Sequence, residues 1–212
     1  MPRKLANYFS ILLCLYGCSN YQMPENQNAS KEESEGAKPE ASIVIKQMGS
    51  VEAAMRYLDI ICPSNRDVNN QDDHVNQKWE LVNRGELTNQ EFGRSLDKSL
   101  LSDSAGATGV AKALTDPKFI WPENVRPLVT ELAAANMEIA SAMREFVRSG
   151  GYTVASQQNM PWPDWPGKDA IQRMKDKASA IRSALRLPPR NEGCTNGQRA
   201  LTTDQIKALQ QN

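Results

Sequence analysis

Histidine is the scarcest of the catalytic residue types in this sequence, with His74 the only one among 212 residues. A Ser-His-Asp triad would have to use His74, but the Gly-x-Ser-x-Gly turn that presents many catalytic serines does not occur. A zinc site needs three or four ligands, and only Asp72 and Asp73 lie near His74 in the chain. We therefore predict no catalytic residues, no metal site and no cofactor.

An excess of positive charge is also missing. The chain carries 25 basic and 25 acidic residues, so its formal net charge is zero. A nucleic-acid-binding domain usually concentrates basic residues into a patch or stripe. The balance predicts a protein that does not bind nucleic acid.

Long apolar runs are absent except at the start of the chain. There, Arg3 and Lys4 precede an uncharged, largely apolar segment at residues 5–16. A basic start before a short apolar segment is typical of a secretory signal peptide, which we place at residues 1–17. The run is shorter than the ~20 apolar residues that a membrane-spanning helix needs. A soluble secreted protein cut nearby and an uncleaved apolar anchor are the alternatives.

The end of this segment, Leu-Tyr-Gly-Cys at residues 15–18, resembles the lipobox of bacterial lipoprotein precursors. The resemblance covers residues 1–19 and implies cleavage after Gly17 and attachment of diacylglycerol to the Cys18 thiol. Two or three acyl chains, at ~0.8 kcal/mol per buried CH₂, hold a protein stably on a membrane. By the same resemblance, Ser19 implies sorting to an outer membrane. The expected location is a lipid-anchored position on the periplasmic side of an outer membrane or on the cell surface.

The remaining cysteines give a prediction of their own. Cys14 lies in the signal peptide and Cys18 would carry lipid, so Cys62 and Cys194 are left as a pair. Exported proteins meet an oxidising environment in which cysteine pairs form disulfides. We predict a Cys62–Cys194 disulfide, with two separate thiols as the alternative.

Two segments follow the signal peptide. Residues 18–42 are rich in Asn, Gln, Glu, Ser and Pro, and they cannot bury enough apolar surface to fold. We predict that they form a flexible linker from the lipidated Cys18, with a reach of roughly 25–30 Å. Residues 43–212 form the folded domain.

The fold class follows from helical periodicity without sustained strand alternation. The sequence predicts an all-α domain, a single bundle of about four to six amphipathic helices behind a disordered tether. The predicted helices run from Ser50 to a stop at Pro63, from Asp72 or Asp73 to Gly85, from Thr88 to about 101, over 110–114, 124–148 and 168–187, and from Thr203 onward. Thr88 and Glu91 are predicted to form a capping box. The longest predicted helix is 124–148, with Pro127 in its first turn and Gly150 at its end. The residues predicted to face inward from 168–187 are Ile171, Met174, Ala178, Ile181 and Leu185. Residues 102–109 and the Pro/Trp-rich residues 160–167 are predicted loops.

Two features could carry function. Trp162 and Trp165 in the second loop either cover one end of the bundle or stack on a ligand or partner. Glu131, Glu138 and Glu145 are candidates for the acid of a cell-wall hydrolase, but their seven-residue spacing favours an exposed stripe.

The sequence as a whole predicts a lipid-anchored envelope protein with a binding or structural role. Its membrane contact is the lipid on Cys18, and its expected partner is an envelope protein or a cell-wall component. A carrier or sensor that binds its ligand at Trp162 and Trp165 is the alternative, and a cell-wall hydrolase is a third hypothesis.

Overall fold

The computed structural model describes residues 45–188 and 190–211, without the side chains of 65–73 and 190–191. The predicted signal peptide, Cys18 and the whole of the predicted linker lie outside this part of the chain. The predicted all-α bundle is confirmed. Its helices are α1 (Ser50–Asn83), α2 (Asn89–Leu114), α3 (Arg126–Arg148), α4 (Gly151–Gln157), α5 (Lys168–Ala184), the single turn α6 (Arg190–Gly193) and α7 (Thr203–Gln211).

Two short pairs of β-strands lie in the segments that precede or connect the helices. β1 (Lys46–Gln47) pairs in parallel with β2 (Phe119–Ile120), which lies between α2 and α3. β3 (Cys194–Thr195) and β4 (Gln198–Arg199) form an antiparallel pair before α7. The first pair holds the chain entering α1 against the α2–α3 connection.

Helix α1 corrects the prediction that Pro63 ends the first helix. The helix continues through Pro63, and the two helices predicted over 50–83 are one. Proline removes one backbone hydrogen bond and costs about 3 kcal/mol in a helix interior. Packing on both sides of it, including Leu58, Cys62 and Val75 in the core, outweighs that local cost. The predicted end is confirmed, since Gly85 follows the helix with φ +73°.

Helix α2 corrects a second prediction, because residues 102–109 are helical and not a loop. The small side chains that suggested a loop instead allow α3 to approach. Ser104 is buried, and its hydroxyl donates to the Ala140 carbonyl of α3 at 3.1 Å. At the other end, the predicted capping box is confirmed: Thr88 accepts from the Glu91 amide, and the Glu91 carboxylate accepts from the Thr88 amide.

The glycine at position 109 gives a stability prediction. A Cβ built on Gly109 meets no atom within 4 Å, and this glycine lies inside α2. Gly109→Ala is expected to raise the free energy of unfolding by about 0.5–1 kcal/mol, because alanine loses less backbone entropy in a helix. Denaturant unfolding measures the change. Gly93→Ala is the control with the opposite sign, since its Cβ would lie 2.7 Å from the Tyr152 carbonyl oxygen. A destabilised Gly109→Ala protein would contradict the prediction.

Helices α3 and α5 follow the predicted pattern with shifted ends. Pro127 lies in the first turn of α3, as predicted. With 23 residues, α3 is shorter than the 34-residue α1, contrary to the expectation that it is the longest helix. Helix α5 ends at Ala184 and not at Leu187, and Arg186 follows with φ +51°. Four of the five residues predicted to face inward from α5 are buried: Ile171, Met174, Ile181 and Leu185.

Helix α4 was not predicted. It begins at Gly151, directly after the Gly150 that was expected only to end the preceding helix. Gly150 has φ +111° and Gly151 has φ +55°, so the chain reverses direction there and returns over α2. With seven residues, α4 is too short for a periodicity signal.

Candidate functional site

The predicted disulfide is confirmed. Cys62 and Cys194 are bonded, with their Cα atoms 5.3 Å apart. Cys62 lies in the core on α1, and Cys194 begins β3. Beside the bridge, Arg199 of β4 donates to the Asp59 carboxylate of α1 at 2.9 Å. These two links hold the C-terminal segment against the first helix.

Trp162 and Trp165 lie together in the loop before α5, and both are half-buried. The Trp162 ring lies 5.7 Å from Phe92, edge to face, and 5.6 Å from Tyr152. Trp165 lies 6.0 Å from Tyr152. These rings pack against the core and cover α4, so much of their surface is engaged within the protein itself.

Beneath this aromatic cluster lies a carboxylate that is only 7% exposed, Asp97 of α2. It accepts hydrogen bonds from the Tyr152 amide at 2.8 Å and from the Thr153 amide at 2.9 Å, both in the first turn of α4. The Thr153 hydroxyl donates to it as well. Asp97 therefore caps α4 from a neighbouring helix.

The same surroundings affect Tyr152. Burial raises the pKa of its phenol well above the usual value, and the carboxylates of Asp97 and Asp164 raise it further. The phenol is therefore neutral throughout the physiological pH range. The Tyr152 side chain therefore offers no acid or base near neutral pH.

The three glutamates considered for a hydrolase lie on the outer face of α3. Glu131, Glu138 and Glu145 are all exposed, as their spacing predicted. Glu131 pairs with Lys177 and Glu138 with Arg173, so both bridge α3 to α5. A glycosidase acid lies in an apolar pocket, whereas these three carboxylates are exposed and form ion pairs.

His74 is an exposed residue of α1. In the part of the chain with described side chains, no group of three or more His, Cys, Asp or Glu residues could hold a metal ion. The side chains of Asp72 and Asp73 lie outside that part.

A groove with a volume of about 460 Å³ separates α1 from α2. Its walls are formed by Glu52, Met55, Arg56, Asp59, Ile60 and Pro63 of α1, by Gly109, Val110 and Ala113 of α2, and by Phe119. The two helices run antiparallel here, since Arg56 bonds the Ala113 carbonyl while Pro63 and Gly109 lie further along. Glu52 and Arg56 therefore lie toward one end of the groove and Pro63 and Gly109 toward the other, with Asp59 between them.

Arg56 is the central polar residue of the groove. Its guanidinium lies 3.4 Å from the centre of the Phe119 ring. Its Nη2 donates to the Ala113 carbonyl at 3.2 Å and to the Asp116 carboxylate at 3.4 Å. Its Nε is buried, with no hydrogen-bond partner among the described residues. The side chain keeps 22% of its surface exposed, so a ligand in the groove could reach it.

No direct signal for this groove is present in the sequence. Arg56, Val110 and Phe119 are far apart in the chain, and the 102–109 segment that forms part of the wall resembled a loop. The one available signal was the spacing of Met55, Arg56 and Asp59, which places polar and apolar residues side by side on one face of α1.

None of the helices in the described part of the chain combines the length and hydropathy that a bilayer-crossing segment requires. No protein-family model, curated protein or solved structure matches this chain.

Proposed function

We propose that this protein is a lipid-anchored component of a cell envelope and that it acts by binding, not by catalysis. Residues 15–18 supply the lipid attachment site at Cys18 through their resemblance to a lipobox. The observation that carries the proposal is the Cys62–Cys194 disulfide, because such bonds persist in oxidising compartments outside the cytoplasm.

The binding role is supported by the groove between α1 and α2. Ligand sites are concave and mostly apolar, with a few polar groups that orient the ligand. The groove combines Arg56 with Met55, Ile60 and Val110 in this way. An envelope protein or a cell-wall component remains the proposed partner of the domain as a whole.

If the protein is a carrier or sensor, the groove between α1 and α2 is a better ligand site than the loop with Trp162 and Trp165 that the sequence suggested. Trp162 and Trp165 pack against Tyr152 and the core, whereas the groove is open and partly apolar. A small ligand would therefore bind at Arg56 and not at the tryptophan loop.

Substitution of the proposed lipid-bearing cysteine tests the anchor. Cys18→Ala is expected to abolish acylation and to shift nearly all of the processed protein out of the membrane fraction, because the attached acyl chains are lost. Fractionation and intact mass measure both effects.

Cys14→Ala is the matched control, since it changes a cysteine of the same apolar segment and leaves residues 15–18 intact. It is expected to fractionate like the parent protein. If Cys18→Ala gave the same mass increment and the same membrane fraction as the parent, the anchor proposal would be lost.

A further inference from the structure

We propose that the groove between α1 and α2 binds small amphiphiles with a carboxylate at one end and an alkyl chain at the other. The carboxylate lies at Arg56, and the alkyl chain extends toward Pro63. This inference rests on the proposed binding function and names the ligand class of that site.

The charges around the groove make Arg56 the cation that is most open to a new partner. The two acids that line the groove are each paired with a basic residue. Glu52 pairs with Lys46, and Asp59 pairs with Arg199 at 2.9 Å. Among the described residues, Arg56 forms its ion pair with Asp116, at 3.4 Å. Another oxygen of the Asp116 carboxylate already accepts from the Lys118 amide at 3.1 Å. An incoming carboxylate therefore competes with a weak ion pair.

The orientation of the guanidinium suits a carboxylate. Its face is covered by the Phe119 ring, so a ligand meets its edge. An arginine has five N–H donors in one plane and commonly binds a carboxylate through two of them. Both hydrogen bonds of Arg56 to described residues come from Nη2. The geometry leaves donors in that plane for an anionic head group.

The other end of the groove suits an alkyl chain. Ile60 and Pro63 of α1 face Val110 of α2 across it. From Arg56 to Pro63, α1 rises about 10 Å, which sets the length of the apolar part. Gly109 has no side chain, and a Cβ there would meet nothing within 4 Å, so the space remains open. Each methylene buried in this part strengthens binding by about fourfold.

Calorimetric titration of the full chain tests the proposal, with Cys18→Ala present so that no attached lipid competes. The probe is sodium decanoate below its micelle concentration. Decyltrimethylammonium has the same tail with a cationic head, and hexanoate has the same head with a shorter tail. We expect saturable binding of one decanoate per chain, weaker binding of hexanoate and no binding of decyltrimethylammonium.

Two substitutions locate the site. Arg56→Gln is expected to weaken decanoate binding by about tenfold or more, since a charge-assisted hydrogen bond is lost. Gly109→Leu fills the apolar end and is expected to weaken binding at least as much. Arg148→Gln is the matched control, because Arg148 is an exposed arginine on α3 that pairs with Glu145. Circular dichroism shows whether each variant is folded. If Arg56→Gln does not fold, Gly109→Leu alone provides the test.

Three results would overturn the proposal. The first is equal affinity for decanoate and decyltrimethylammonium, and the second is unchanged decanoate binding in folded variants at both positions. The third is that a peptide of residues 31–45 binds in the groove in place of decanoate. The last would make the chain's own segment the occupant. Each leaves the Cys18→Ala fractionation unaffected, so failure of this inference is distinguishable from failure of the proposed anchor.

Discussion

Reduction of the Cys62–Cys194 disulfide is expected to lower the free energy of unfolding by about 4–5 kcal/mol. The bridge joins residues 132 positions apart, so it removes much of the freedom of the unfolded chain. Most domains are stable by only about 5–15 kcal/mol in total, so this loss is a large fraction of the whole. The C-terminal segment from β3 to α7 should detach from α1 before the rest of the bundle.

Guanidinium chloride unfolding with and without reductant measures this effect. The variant with both Cys62→Ala and Cys194→Ala should unfold near the midpoint of the reduced parent and should not respond to reductant. Cys62 is completely buried, so the double variant also loses some packing there. Identical midpoints for the oxidised and reduced parent would contradict the prediction.

Asp97→Ala is expected to lower the free energy of unfolding by about 2–4 kcal/mol, because buried donors lose their acceptor. The Tyr152 and Thr153 amides lie in the first turn of α4, and both donate hydrogen bonds to this carboxylate. Without it, α4 should separate from α2, and Trp162 should become more exposed because it packs on Tyr152. Denaturant unfolding gives the free energy, and a red shift of tryptophan emission reports the exposure.

Two controls distinguish loss of the cap from loss of charge. Asp97→Asn keeps one acceptor oxygen in nearly the same shape and should lose less stability than Asp97→Ala. Asp204→Ala removes an acid of α7 whose side chain is 93% exposed, and it should change stability little. If Asp97→Ala and Asp204→Ala behaved alike, the capping role would be wrong.

Features that depend only on residues close together in the sequence were predictable. The Thr88–Glu91 capping box and the inward face of α5 need only a few residues in register, and both occur as predicted. The disulfide followed from the predicted export of the chain together with its cysteine count. The apolar pattern was also sufficient for the all-α class.

Features that depend on packing were not predictable. Pro63 and the 102–109 segment carry strong local signals against a helix, and contacts with other helices outweigh them. The cap of α4 comes from Asp97, 55 residues earlier than Tyr152. The groove at Arg56 requires the two helices to be placed side by side, which no local pattern specifies.

The β1–β2 pair is also expected to affect how the domain responds to a mechanical pull. A pull applied at the amino-terminal end of the described domain reaches β1 before it reaches α1. The Lys46 amide bonds the Lys118 carbonyl at 2.9 Å, and the Met48 amide bonds the Ile120 carbonyl at 3.0 Å. Because these strands are parallel, tension along β1 loads the bonds in shear, and they must break together before α1 can unwind. We therefore expect this pair of two-residue strands to resist such a pull and to protect the first helix from unwinding.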